Sequence, residues 1–208
     1  MISIDGLNYY INNNEASIGK YEGSEGTALV DKNRKGVISV KAFVEYANHK
    51  YEVTTVGKYA FSSSPNIECV SLPYTIKSLL WASFSFMPLL KEVLIPDNNN
   101  IVYMDLHIFY DSTSISVFVI PINLISINIA AFENSGITDL FYCGSNKING
   151  EIRTSQTIHT TSRYKYSTLL GKSVLKDYFC RVVKCTIKAG IKRTTDFKYL
   201  IVFVLTRA

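Results

Sequence analysis

Val53-Thr-Thr-Val56-Gly-Lys-Tyr-Ala-Phe61-Ser-Ser-Ser-Pro-Asn-Ile67-Glu-Cys-Val70-Ser-Leu72-Pro73 sets an apolar template that the chain then repeats. Its pattern is Val53, Val56, Phe61, Ile67, Val70, Leu72 and Pro73. The same spacing returns in Ile76, Leu79, Phe84, Leu90, Val93, Ile95, Pro96, and again in Ile101, Met104, Phe109, Ile115, Phe118, Ile120, Pro121. A fourth copy, Leu124, Ile127, Phe132, Ile137, Leu140, Tyr142, is one residue shorter between Phe132 and Ile137 and has Cys143 in the proline's place. The units are therefore 53–75, 76–100, 101–123 and 124–143, the second lengthened by the polar insert Asp97-Asn98-Asn99-Asn100. A fixed period of this size marks stacked units, none of which can bury its apolar face alone.

Within a unit, Val70-x-Leu72 has the period of two that makes a strand, and the proline after it ends the strand because it has no N–H for a ladder. Val53-x-x-Val56 reads as a second short extended piece. Ala60-Phe61, Ser83-Phe84, Ile108-Phe109 and Ala131-Phe132 read as a turn or single helical turn that drops one large ring into the core. Stacking the units then buries the four rings in a column, each contributing roughly 1.5–3 kcal/mol.

The triplet Ile67-x-x-Val70-x-Leu72 matches the core of a leucine-rich repeat, and Val56-Gly-Lys-Tyr-Ala-Phe61 with Ser71-Leu-Pro73 resembles the BspA-like leucine-rich repeats of bacterial and protozoan surface antigens. Ala16–Tyr21 and Asn48–Tyr51 resemble the leader that precedes the first repeat in that family. Ile158–Tyr164 resembles its closing strand, so the resemblance runs over residues 15–170. It implies a right-handed leucine-rich-repeat solenoid, β-rich, with parallel strands and short helical turns. Residues 1–52 become an N-terminal β-rich cap with a hairpin around Asn48-His49. Residues 144–171 become a C-terminal cap, and 172–208 a basic extension with a candidate edge strand at 199–204. One departure is clear: the family commonly has Cys three residues after the repeat Phe, and here those places hold Ser64, Met87, Ser112 and Ser135.

With 47% hydrophobic and 19% charged residues, the chain has a globular composition. The net charge of +5 hides a division. Residues 1–145 carry nine Lys/Arg against fourteen Asp/Glu, a net of −5, and residues 146–208 carry thirteen against three, a net of +10. Such asymmetry marks the last part as a separate segment, with a partner of its own or none. No secretory signal or Asn-x-Ser/Thr site is readable. The longest apolar run, Tyr199–Leu205, is far short of the roughly 20 residues that cross a bilayer. The sequence by itself reads as cytoplasmic, while the resemblance implies the cell surface. Cys69, Cys143, Cys180 and Cys185 are too few and too scattered for a disulfide framework, so free thiols are expected.

The sites follow from the strand alternation. Residues on either side of the second strand position face outward, onto the concave face: Cys69 and Ser71, Glu92 and Leu94, Val117 and Val119, Asp139 and Phe141. Leu94, Val119 and Phe141 form an expected apolar strip for a protein or host-surface partner, with Glu92 and Asp139 adding polar specificity. An alternative binder of nucleic acid or another anionic surface would use Arg153, Arg163, Lys165, Lys172, Lys176, Arg181, Lys184 and Lys188. Asp97–Asn100 and Asn123 lack the charge and ordered spacing of a calcium loop and read as solvated turns. No catalytic signature, cofactor motif or metal-ligand set is present around His49, His107, His159 or the cysteines, so a non-enzymatic protein is expected.

Overall fold

The computed structural model describes residues 1–21, 26–153 and 155–177. The expectations for Tyr199–Val204 and for Arg181, Lys184 and Lys188 lie outside the described residues. At the N-terminal end, β1 (Ile2–Ile4), β2 (Leu7–Asn12) and β3 (Glu15–Ile18) form an antiparallel meander, while β4 (Gly36–Ser39) stands apart from it. A hairpin follows, β5 (Phe43–Tyr46) with β6 (His49–Val56). Its two-residue turn is Ala47-Asn48, both at positive φ (49° and 61°), one residue earlier than the sequence expectation.

From here the repeats alternate between two sheets. The repeat strands are β7 (Ile67–Ser71), β9 (Glu92–Leu94), β11 (Val117–Ile120), β13 (Asp139–Tyr142) and β14 (Thr157–Thr160). Short strands β8 (Ser78–Leu79), β10 (Tyr103–Met104) and β12 (Ser126–Ile127) continue the sheet of β3 and β6 in parallel. A small hairpin, β15 (Thr168–Leu169) with β16 (Lys172–Leu175), closes the order β11-β13-β14-β16-β15. A second group, β4-β7-β9, lies on the other side of the break between β9 and β11, next to the Asp97–Asn100 insert.

Every inward position of the template except Ile95 is buried, and the ring column forms as the spacing requires. Phe61, Phe84, Phe109 and Phe132 stack at centroid separations of 5.4, 5.7 and 6.1 Å with planes within 14° of parallel, and Phe118 packs against the last two.

The expected helical turns are corrected: no helix forms among the described residues. Tyr59, Ser63, Ala82, Phe86, His107, Asp111 and Asn134 all hold φ between 52° and 56°, which stops any run of i→i+4 bonds. Alternate turn N–H groups instead bond to the next unit, as in Tyr59 N to Trp81 O, Phe61 N to Ser83 O and Ser63 N to Ser85 O, while those between them bond three residues back, as in Ala60 N to Gly57 O and Ser62 N to Tyr59 O. Gly57 fits the same logic, since a Cβ there would run into the Lys20 carbonyl oxygen.

Two smaller expectations also change. Asn99 in the polar insert is 3% exposed rather than solvated: its side-chain amide donates to Pro96 O at 2.9 Å, and Asn123 donates to Asn99 O at 2.7 Å. Cys143 is disulfide-bonded, against the expectation of thiols throughout, while Cys69 is not in a disulfide. Cys180 and Cys185 lie outside the described residues. Among the described residues, no helix is long and apolar enough to cross a membrane.

Candidate functional site

The repeat strands carry two rows of outward side chains, because alternate residues of each strand point away from the core. The first row places Val37, Cys69 and Glu92 in register, then Val117, Asp139 and Thr157. The second places Ser39, Ser71 and Leu94 in register, then Val119, Phe141, His159 and Leu175. Val119 is 48% exposed, and Ser71, Glu92, Leu94, Val117, Asp139 and Phe141 are half-buried. Cys69, expected to face outward, is only 4% exposed.

The acids on this face differ in what they touch. Glu68 accepts from Lys91 Nζ at 2.7 Å and is neutralised there. Asp139 is engaged on both oxygens, Oδ1 with His159 Nε2 at 2.9 Å and Oδ2 with the Thr138 hydroxyl at 2.7 Å. Burial raises the Asp139 pKa, but these two hydrogen bonds and the imidazole charge outweigh it and hold the carboxyl below its ordinary value. Glu92 has no hydrogen bond or ion pair among the described residues, and burial pushes its carboxyl up.

His159 is the residue that the sequence reading missed. Its ring stacks on Phe141 at 4.6 Å with planes 13° apart, and its Nδ1 faces Asp177 at 2.9 and 3.1 Å. The available signal was positional: His159 stands in register with Phe141, one unit on. The described basic residues spread over separate segments. Arg153 precedes β14, Arg163 and Lys165 follow it, Lys172 lies in β16 and Lys176 just after; none is in an ion pair among the described residues.

A β-rich stack of parallel repeat strands, with its side chains offered as a surface, is the architecture of a leucine-rich-repeat protein. The profile of the BspA type leucine rich repeat region matches residues 39–157 in six copies, more than the four units counted from spacing, and the chain belongs to that family. The fold is shared by a leucine-rich repeat protein from Bacteroides capillosus ATCC 29799, 17% identical with a TM-score of 0.56, over 68% of this chain and 96% of that one. It is shared also by one from Bacteroides ovatus ATCC 8483, 18% identical with a TM-score of 0.57, over 78% of this chain and 38% of that one. The pneumococcal vaccine antigen PcpA, 14% identical with a TM-score of 0.52, aligns over 78% of this chain and 46% of its own. The chain thus spans less than half the length of the latter two. No curated protein matches it. Leucine-rich-repeat proteins in general bind other proteins and are not enzymes.

Proposed function

We propose that the chain is a non-catalytic binding protein whose outward repeat-strand surface, the concave face of a right-handed solenoid, takes up a protein partner in adhesion or at a cell surface. The observation that carries this reading is Glu92. A carboxylate half-buried in register with Cys69, next to Leu94 and with Val117 on the following strand, has no partner among the described residues and is costly in that state. A donor brought by a partner relieves that cost, and Leu94, Val119 and Phe141 add apolar area around it. Asp139 enters the reading as half of the pair with His159 rather than as an open acceptor. The surface role rests on the family and on the fold shared with a protein called a vaccine antigen.

The test is capture of the full chain on intact cells, compared with Glu92→Gln and with Leu94→Ala/Val119→Ala/Phe141→Ala. The variants are expected to bind at least about tenfold more weakly while keeping a cooperative thermal transition. Binding of the triple variant equal to the parent sinks the reading. The basic segment offers a second reading, supported by exposed Arg153, Arg163 and Lys165 without ion pairs among the described residues. A salt titration separates the two, since phosphate-driven binding falls steeply with log salt and apolar binding does not.

A further inference from the structure

The turns that follow the second sheet carry a strip of aromatic rings that the template does not call for. Tyr59 and Trp81 lie with ring centroids 5.4 Å apart, and the Trp81 indole N–H points at His107 Nδ1 at 3.5 Å. His107 lies 5.0 Å from Tyr110, which meets Phe86 edge-on at 5.6 Å. The strip crosses the first three repeats without a gap. It is open to solvent, with Trp81 38% and Phe86 45% exposed.

Folding does not explain these residue choices. The position ten residues into each unit holds φ between 52° and 56°, and it is occupied by Ser63, Phe86, Asp111 and Asn134. Asp and Asn tolerate that conformation, whereas a bulky aromatic rarely adopts it. Phe86 recovers little of this cost, because nearly half of it stays in water. Tyr59 carries the same strain at φ 52°. Exposed rings kept where the backbone disfavours them point to a role outside the fold.

The charge around the strip says what kind of ligand suits it. On the four turns 57–64, 80–87, 105–112 and 128–135, the charged side chains are Lys58 against Asp105, Asp111 and Glu133. Glu133 already anchors the strip, its carboxylate accepting from His107 Nε2 at 3.0 Å. We propose that this aromatic ridge is a second binding site, for a peptide segment bearing arginine or lysine whose cations lie on the rings of Trp81 and Phe86 beside Asp111 and Glu133. A guanidinium suits it best, since it stacks on aromatic faces and pairs with carboxylates through one planar group. The ridge lies on the turns rather than on the repeat strands, so it stands or falls apart from the surface proposed above.

Trp81 is the chain's one tryptophan, so its fluorescence reports on the ridge without a label. The full chain is titrated with tetra-arginine, tetra-glutamate and maltoheptaose. A saturable change in Trp81 emission with tetra-arginine alone, weakening as salt is added, is the expected result. Phe86→Asn, which suits the positive φ, and Asp111→Asn, which removes charge without touching the rings, should each weaken it about five- to tenfold. Thermal midpoints at or above the parent's show that neither variant acts by unfolding. No response to tetra-arginine, an equal response to tetra-glutamate, a stronger one to maltoheptaose, or unchanged affinity in both variants overturns the proposal.

Discussion

Both ring nitrogens of His159 face carboxylates, Asp139 on one side and Asp177 on the other, and only the imidazolium can donate to both. Burial lowers the His159 pKa, but the hydrogen bonds and charges of the two aspartates outweigh it and raise it above the ordinary 6.5. A raised histidine pKa gives stability that is fully present below the unfolded value and lost as pH rises through the folded one. The lowered pKa of Asp139 works in the other direction, its share present above 3.8 and lost as pH falls through the folded value. Together the pair is fully stabilising between 3.8 and 6.5. The thermal midpoint of the parent should therefore fall more steeply than that of His159→Gln as pH is raised from 6.5 into the alkaline range. Parallel curves for parent and variant over that interval would remove the His159 pair as the cause. The pair was not legible in the sequence because Asp139 and His159 are 20 residues apart and Asp177 a further 18. Only a known strand register brings them to one place.

The inside of each element was legible because burial and spacing are the same information in a repeat. Phe84 shows it best: its position was fixed by offset alone, and it sits 0% exposed between Phe61 and Phe109. Removing that ring leaves a cavity in a column that cannot close without breaking the inter-unit bonds of Phe61 N and Phe84 N. Phe84→Ala should cost about 3–5 kcal/mol and Phe84→Leu about 1–2 kcal/mol in urea unfolding. A loss below ~1 kcal/mol for Phe84→Ala would mean that the column does not hold the stack together. The segments around the same rings read as a turn or a single helical turn, and only the plain turn forms, for a physical reason. Ala-Phe pairs satisfy a helical turn locally, and nothing in the composition announces that alternate N–H groups bond to the next unit instead. The chain before Val53 was harder still. Gly36–Ser39 pairs in parallel with Ile67–Ser71 and buries Ile38, so it behaves as a repeat strand. Its distance from Val70, 32 residues against a period of 23 to 25, is stretched by the β5–β6 hairpin, which hides it from a search by spacing.

At the scale of the molecule, a stack of units that touch only their neighbours is as stable as its ends allow, because an open strand edge presents unpaired backbone groups to water and to other chains. The first end is closed by the β1-β2-β3 meander, whose last strand runs parallel to β6. Among the described residues the other end is closed by β16, which pairs with β14 through Ile158 with Val174 and His159 with Leu175, and folds back on β15. The ladder therefore runs through Leu175, past the position 171 where the resemblance implied that the cap ends. A chain ending at Gly171 loses β16 and the Asp177 partner of His159, whereas one ending at Asp177 keeps both, and the two lack the same residues beyond. The shorter chain should melt at least ~5 °C lower, the scale of roughly 2 kcal/mol for a domain of this size, and should associate more readily through the bared edge of β14. Scanning calorimetry and light scattering at several protein concentrations read both effects. Equal midpoints and equal scattering for the two chains would show that β14, not β16, is the strand on which the stack ends.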